Sequence, residues 1–354
     1  MQRSSRNSKL ACSEKRSTSV RTLALDASIT ERGAILLGEN VACDAFEATR
    51  PVRVVTHAHA DHIAGLGSSL RKCRKILMTA ATKDLVEAMK GPLTPESRIE
   101  VLEYEKSVSY GDERITLFKA EHILGAAQVL VETPNGHRVA YTGDFKIEQT
   151  RALRCDTLVL EATYGNPSFN RAFSVDVRKQ LVSLVEKQLR QGTVYVFGFN
   201  GKLQEVMQIL NDADVTVPFI VPESVHKISR VYERHGMRLG YLTLSTERDA
   251  RKLLSENLPS IAFYHMNSAK SVGLNCNRIY VTGWEFQTPC RQTGPNEYVI
   301  ALSDHSDFNG LIEYVRRANP KKVVTDNYRI SHGETLAKEI QKRLGIPAVA
   351  LPTY

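Results

Sequence analysis

Seven residues, THAHADH from Thr56 to His62, follow directly on the apolar run PVRVV, placing three histidines and an aspartate at the end of a buried strand. Imidazole is the commonest neutral metal ligand, and a carboxylate adds a hard oxygen to the same ion. The chain holds ten histidines in 354 residues, so a polar loop that is histidine-rich by chance is the weaker reading. A strand ending in ligands also constrains the fold. Layered α/β sheets present their chemistry at the C-terminal ends of strands.

The rest of the chain agrees with such layers. Short β-rich runs alternate with amphipathic helices almost throughout, the pattern of an α/β protein. TLALDAS, GAILLG and NVACDAF read as an N-terminal sheet, and ADHIAGLGSSLRK is expected to open a helix straight after the histidine loop. QVLVETPNGHRVAYTGDF reads as a hairpin about its Asn-Gly pair. From about residue 166 the helices lengthen and alternate simply with strands, as in a second, smaller α/β unit. YVIALSD is expected to return the chain to the first unit. The organisation expected is a disordered basic tail at 1–21, one domain from 22–165 and 295–354, and a second domain at 166–294.

Several of these strands end in a residue able to bind or organise a metal. Besides His57, His59, Asp61 and His62, LFKAEH ends in His122, RVAYTGD in Asp144 and LVLE in Glu161. YVIALSDH ends in His305, and SHGE carries His332. Each alone could be an ordinary loop residue; the joint pattern is what points to a metal centre. His137, His226, His235 and His265 fall outside it and read as structural or surface residues.

Bulk properties exclude more than they assign. No apolar run approaches the ~20 residues of a membrane span, so no membrane partner is expected. The N-terminal MQRSSRNSKLACSEKRSTSVR lacks the apolar segment of a signal peptide. Six scattered cysteines without a C-x-x-C pair suit a reducing compartment, cytoplasm or nucleus, and argue against a zinc ribbon. The net charge of +8 favours a polyanionic partner.

The motif H-x-H-x-D-H, a later isolated histidine and T-G-D resemble the metallo-β-lactamase fold of binuclear metallohydrolases, an αββα sandwich. Glu161 in LVLEATYG, His305 in LSDHSDF and His332 in SHGE resemble motifs A, B and C of the β-CASP nucleases. In that family an α/β β-CASP domain is inserted between motifs A and B. Asp44 in CDAF resembles the family's first motif. The resemblance implies one metal on His57, His59 and His122, and a second on Asp61, His62 and His332, with Asp144 bridging. Two divalent ions about 3.5–4 Å apart can activate water and polarise a phosphoryl oxygen together. The ligand types point to zinc (Zn2+), with manganese (Mn2+) as the alternative. Asp44 and Glu161 would orient ligand imidazoles, and His305 would contact the scissile phosphate and protonate the leaving 3′-oxygen.

The implied activity is metal-dependent hydrolysis of a nucleic-acid phosphodiester. DAF and TGW resemble the DNA crosslink-repair branch that includes Artemis, and THAHADH, G-K-x-Q and DHSDF resemble the ligase-associated DNA exonucleases. HGE also resembles the RNA-cleaving branch. DNA is favoured over RNA, with a single-strand exonuclease in DNA repair as the leading reading and an RNA-processing nuclease as its rival. A small-molecule metallohydrolase and an inactive nucleic-acid-binding scaffold are further alternatives. Ser303, Ser306, Gly201 and Lys202 are the candidate phosphate contacts, in a cleft expected to be basic. Asp307, two residues past His305, would repel a terminal 5′-phosphate.

Overall fold

The computed structural model describes residues 26–173, 175–273 and 276–354, so the expected basic tail lies outside the described residues. Alternation along the strands builds two of its three sheets into a sandwich. The first sheet runs in chain order through β1 (Ala27–Ile29), β2 (Ile35–Leu37), β3 (Val41–Cys43), β4 (Val52–Val54), β5 (Lys75–Met78) and β6 (Ile99–Val101). The second begins with β7 (Ser107–Tyr110), β8 (Glu113–Lys119), β9 (Ala127–Glu132), β10 (Arg138–Tyr141) and β11 (Thr157–Leu160). It is completed beyond β11 by β19 (Lys322–Asp326) and β20 (Ala348–Leu351).

Residues two apart on these strands face the same way. Val129, Val131, Val139, Tyr141 and Val159 meet Leu37, Val41, Val52 and Val54 between the two sheets. Their alternates Leu130, Ala140, Leu158 and Leu160 instead face a layer formed with α7 (Phe308–Ala318) and α8 (Gly333–Leu344). On the far side of the first sheet lie α1 (Leu66–Lys72) and α2 (Ala80–Lys90). The order of layers is therefore helix, sheet, sheet, helix.

The third sheet is largely parallel. Its spatial order is β14 (Leu242–Leu244), β13 (Phe219–Val221), β15 (Ile261–His265), β12 (Val194–Gly198), β16 (Asn277–Val281), β18 (Glu297–Ile300) and β17 (Cys290–Gly294). Helices α3 (Val177–Leu189), α4 (Lys202–Asp212), α5 (Glu223–Arg234) and α6 (Arg248–Ser255) connect and cover it. One hydrophobic core runs without a break from Leu85 and Val86 of α2 into Leu203 and Met207 of α4 and Val225 and Ile228 of α5. The inserted unit is thus packed onto the sandwich by apolar burial.

Two local expectations change. The strand placed at the start of the returning domain, β18, pairs with β16 and with β17 in the third sheet. Its tight antiparallel pairing with β17 folds it back before the chain leaves that sheet after Ile300. The helix after the histidine loop starts only at Leu66, because Gly65 at its N-cap takes a left-handed backbone (φ 68°). Residues 57–65 therefore stay irregular, leaving the side chains of His57, His59 and His62 free to converge.

Candidate active site

Strand ends deliver the cluster. β4 leads into His57, His59, Asp61 and His62, β8 into His122, and β10 into Asp144. One ligand atom from each of His57, His59, His122 and Asp144 lies within 4.8 Å of all the others. His59 Nδ1 is 3.2 Å from His57 Nε2 and 3.1 Å from His122 Nε2, and Asp144 Oδ2 is 3.6 and 3.7 Å from those two Nε2 atoms.

The remaining ring nitrogens are held from behind. His57 Nδ1 sits 3.1 Å from Thr56 Oγ1, His122 Nδ1 donates to the Asp304 carbonyl at 2.9 Å, and His59 Nε2 donates to the Asn200 carbonyl at 3.3 Å. Such partners fix the tautomer and leave the other nitrogen's lone pair facing the centre. Burial holds His57 well below the usual imidazole range, His122 below it and His59 at about 4. All three are then neutral, the form that ligates.

Asp144 also faces a second set. His62 Nε2 lies buried between two carboxylates, 3.3 Å from Asp144 Oδ2 and 3.2 Å from Asp61 Oδ2; burial opposes its charge, but Asp144 and Asp44 hold the ring well above the usual imidazole range. Its Nδ1 is fixed at 2.8 Å by Asp44 Oδ2. Asp44 itself has a left-handed backbone (φ 64°) and accepts bonds from the Thr56 amide and hydroxyl, so its carboxylate is aimed from below the histidine loop. Three imidazoles and a carboxylate at the first position suit a divalent ion such as zinc. His62 Nε2 with the Asp61 and Asp144 carboxylates on either side offers the donor set of a second, which would displace the Nε2 proton.

His332 does not join them. Its ring packs edge-on against Phe169, centroids 5.0 Å apart, at the N-cap of α8. On Asp61 stands Arg329 instead, Nε 3.7 Å from Asp61 Oδ2, with Nη1 bonded to Asp326 at 2.6 Å. The turn after β19 bonds the Tyr328 amide to Asp326 and aims Arg329 inward, whereas His332, three residues later, already stands at the N-cap of α8. Sequence reading missed Arg329, and its only signal was an arginine in the loop after an acid-ended strand.

Glu161 takes a different partner from the one expected. Its Oε2 is 2.9 Å from His305 Nδ1 and its Oε1 accepts the Phe145 amide, so it orients His305 and no ligand imidazole. Burial works against a charged His305, but the Glu161 carboxylate outweighs it and lifts the ring to about 9. His305 stands 4.7 Å, centroid to centroid, from His122.

The four candidate phosphate contacts are committed elsewhere. Ser303 Oγ accepts the His305 amide, and Ser306 Oγ donates to the Phe145 carbonyl. The Gly201 amide is taken by Gln204 Oε1, and Lys202 Nζ is buried in a 2.9 Å pair with Asp304. Burial opposes the Asp304 anion, yet Lys202 and nearby imidazoles hold its carboxyl far below the usual range. Asp307 caps α7 through Gly310 and also bonds the Arg171 amide, so it is not a free charge facing substrate. A cleft of about 620 Å³ runs between the sandwich and the third sheet, past His59, Asp144 and His305. Its lysines and arginines are Lys90, Lys202 and Arg329, the last two in ion pairs, so the expected basic lining is not found there.

A layered sandwich with a histidine–aspartate centre at its strand ends, and an α/β unit closing over it, defines a metallohydrolase of the metallo-β-lactamase type. The chain belongs to the metallo-β-lactamase superfamily: the family model described as "Beta-lactamase superfamily domain" matches residues 22–196. An uncharacterized protein in the lig 3′ region of Acidianus ambivalens is 37% identical over 138 residues, which are 38% of this chain and 99% of that protein. A probable DNA ligase of Opitutus terrae is 26% identical over 77% of this chain and 26% of its own length. The transcription termination factor FttA of Pyrococcus abyssi is 32% identical over 45% of this chain and 30% of its own. The chain spans about a quarter to a third of the latter two. These relatives are consistent with the β-CASP nucleases within the superfamily. No helix among the described residues is long and apolar enough to cross a membrane.

Proposed function

We propose that the chain is a divalent-metal-dependent phosphodiesterase acting on single-stranded DNA from an end, in DNA repair. The observation carrying this reading is the pairing, in one cleft, of four convergent ligand atoms with a carboxylate-held histidine beside them. His57, His59, His122 and Asp144 would hold the first ion, with zinc favoured over manganese, and Asp61, His62 and Asp144 the second. Bound there, the ions would polarise the phosphoryl oxygens and lower the pKa of the attacking water.

The remaining work falls to the chain's own groups. Glu161 engages His305 Nδ1, which leaves Nε2–H directed into the cleft as proton donor to the leaving 3′-oxygen. Asn200 and Asp304 hold the His59 and His122 rings through backbone carbonyls. Arg329 places a fixed positive charge beside Asp61, where the phosphate's anionic oxygens would gather. Similarity to a probable DNA ligase and to a protein of a lig 3′ region supports DNA as substrate. Similarity to a transcription termination factor supports the second reading, an RNA-cleaving nuclease of the same chemistry. End-labelled DNA and RNA single strands, with and without a 5′-phosphate, separate the two. Cleavage of RNA alone overturns the first reading, and cleavage of neither overturns both.

A further inference from the structure

The third sheet has a divergence point of its own. β12 and β16 are parallel neighbours, yet the chain leaves β12 through α4 toward β13 on one side and leaves β16 toward β17 and β18 on the other. In open parallel sheets a ligand crevice lies beyond the strand ends where connections part in this way. The two loops that diverge carry Phe199 and Trp284.

Both rings are 51% exposed, and both line the cleft that contains Asp144 and His305. Single exposed aromatics are ordinary on protein surfaces. Two of them at one divergence point, on the walls of the catalytic cleft, are not scattered. Each is also propped. Trp284 stands edge-to-face on Tyr164 at 5.0 Å, and Tyr164 in turn lies 5.8 Å from His305. The Trp284 amide donates to Thr282 Oγ1 at 3.1 Å. Phe199 stands edge-on to His265, the last residue of β15, at 5.3 Å. Half-exposed rings held in place by aromatic neighbours are suited to stacking on flat partners.

We infer that Phe199 and Trp284 form a stacking platform for unpaired nucleobases flanking the scissile phosphate. The inference rests on the reading of the cleft as a phosphodiester site and adds how the strand is gripped. The candidate phosphate contacts are tied up in internal bonds. Beside Lys90 and Arg329, base stacking is a further grip that the cleft walls offer, and it is tolerant of sequence because every base has a π-face. A base inside a duplex is already stacked and cannot use the platform, so the device selects single strands.

Trp284 is the chain's one tryptophan, so its emission reports the platform directly. The test uses the His305→Ala chain, which slows turnover, with oligo-dT and with an abasic deoxyribose-phosphate oligomer of equal length. Oligo-dT should quench Trp284 emission, and the abasic strand should bind without quenching. Trp284→Ala and Phe199→Ala should each weaken oligo-dT binding about ten-fold and leave abasic binding unchanged. Trp284→Phe should recover much of the loss, which a merely misfolded Ala variant would not predict. Equal binding of both strands with silent emission overturns the platform while the phosphodiesterase reading stands. If neither strand binds, the platform falls together with the reading of single-stranded DNA as substrate.

Discussion

Glu161 Oε2 lies 2.9 Å from His305 Nδ1, across 144 residues of chain, and holds the His305 imidazole up from behind as a charged partner. A proton donor of this kind is lost as pH rises through its pKa, so the alkaline limb of the rate reports it. Glu161→Gln removes the charge that lifts the ring, and the alkaline limb should move to lower pH. His305→Ala should cost about 10²–10⁴ in turnover with bound metal unchanged. Single-turnover rates against pH, with metal content measured on each variant, check both. A limb that stays in place in Glu161→Gln would assign it to another group.

Asp144 faces both ligand sets, so Asp144→Asn should abolish cleavage and lower metal content while circular dichroism stays unchanged. Chelation should abolish activity, and zinc or manganese should restore it. Asp44→Ala frees the His62 ring and should weaken metal affinity about 10–100-fold. Elemental analysis of purified variants is the readout, and full retention by Asp144→Asn would refute the assignment.

His332 packs on Phe169 and not on the cluster, so His332→Ala should leave metal content unchanged. His62→Ala should lose metal. Parallel metal titrations of the two variants decide between this arrangement and the ligand role that the S-H-G-E motif implies.

Lys202 and Asp304 form an ion pair whose side chains are only 5% and 12% exposed. Breaking such a pair leaves one charge buried alone, which costs about 3–5 kcal/mol. Lys202→Ala should therefore shift the denaturation midpoint substantially, and Lys202→Met with Asp304→Asn should recover most of it. Unchanged stability in the single variant would mean that the pair is solvated in solution.

The residues legible from the sequence were those whose role follows from local order. A strand followed by H-x-H-x-D-H puts ligands at that strand's C-terminal end whatever packs elsewhere, and the Asn135–Gly136 hairpin and the helices α7 and α8 likewise carry their own signals. What stayed hidden was pairing at a distance. That Lys202 would meet Asp304, that Glu161 would hold His305, and that Asn200 would reach His59 across 141 residues depends on how the third sheet docks. The same holds for β18, since a strand's pattern says that it is buried but not which sheet buries it. The S-H-G-E motif is local, whereas the packing of His332 on Phe169 is set by where α8 starts.

The bond from His59 to the Asn200 carbonyl crosses from the histidine loop to the unit that covers it. The covering unit therefore sets the orientation of one ligand ring through a residue 141 positions away in the chain. A shift of the loop after β12 would be felt first as a rotation of the His59 imidazole, and so as a change in the affinity of the centre for an ion.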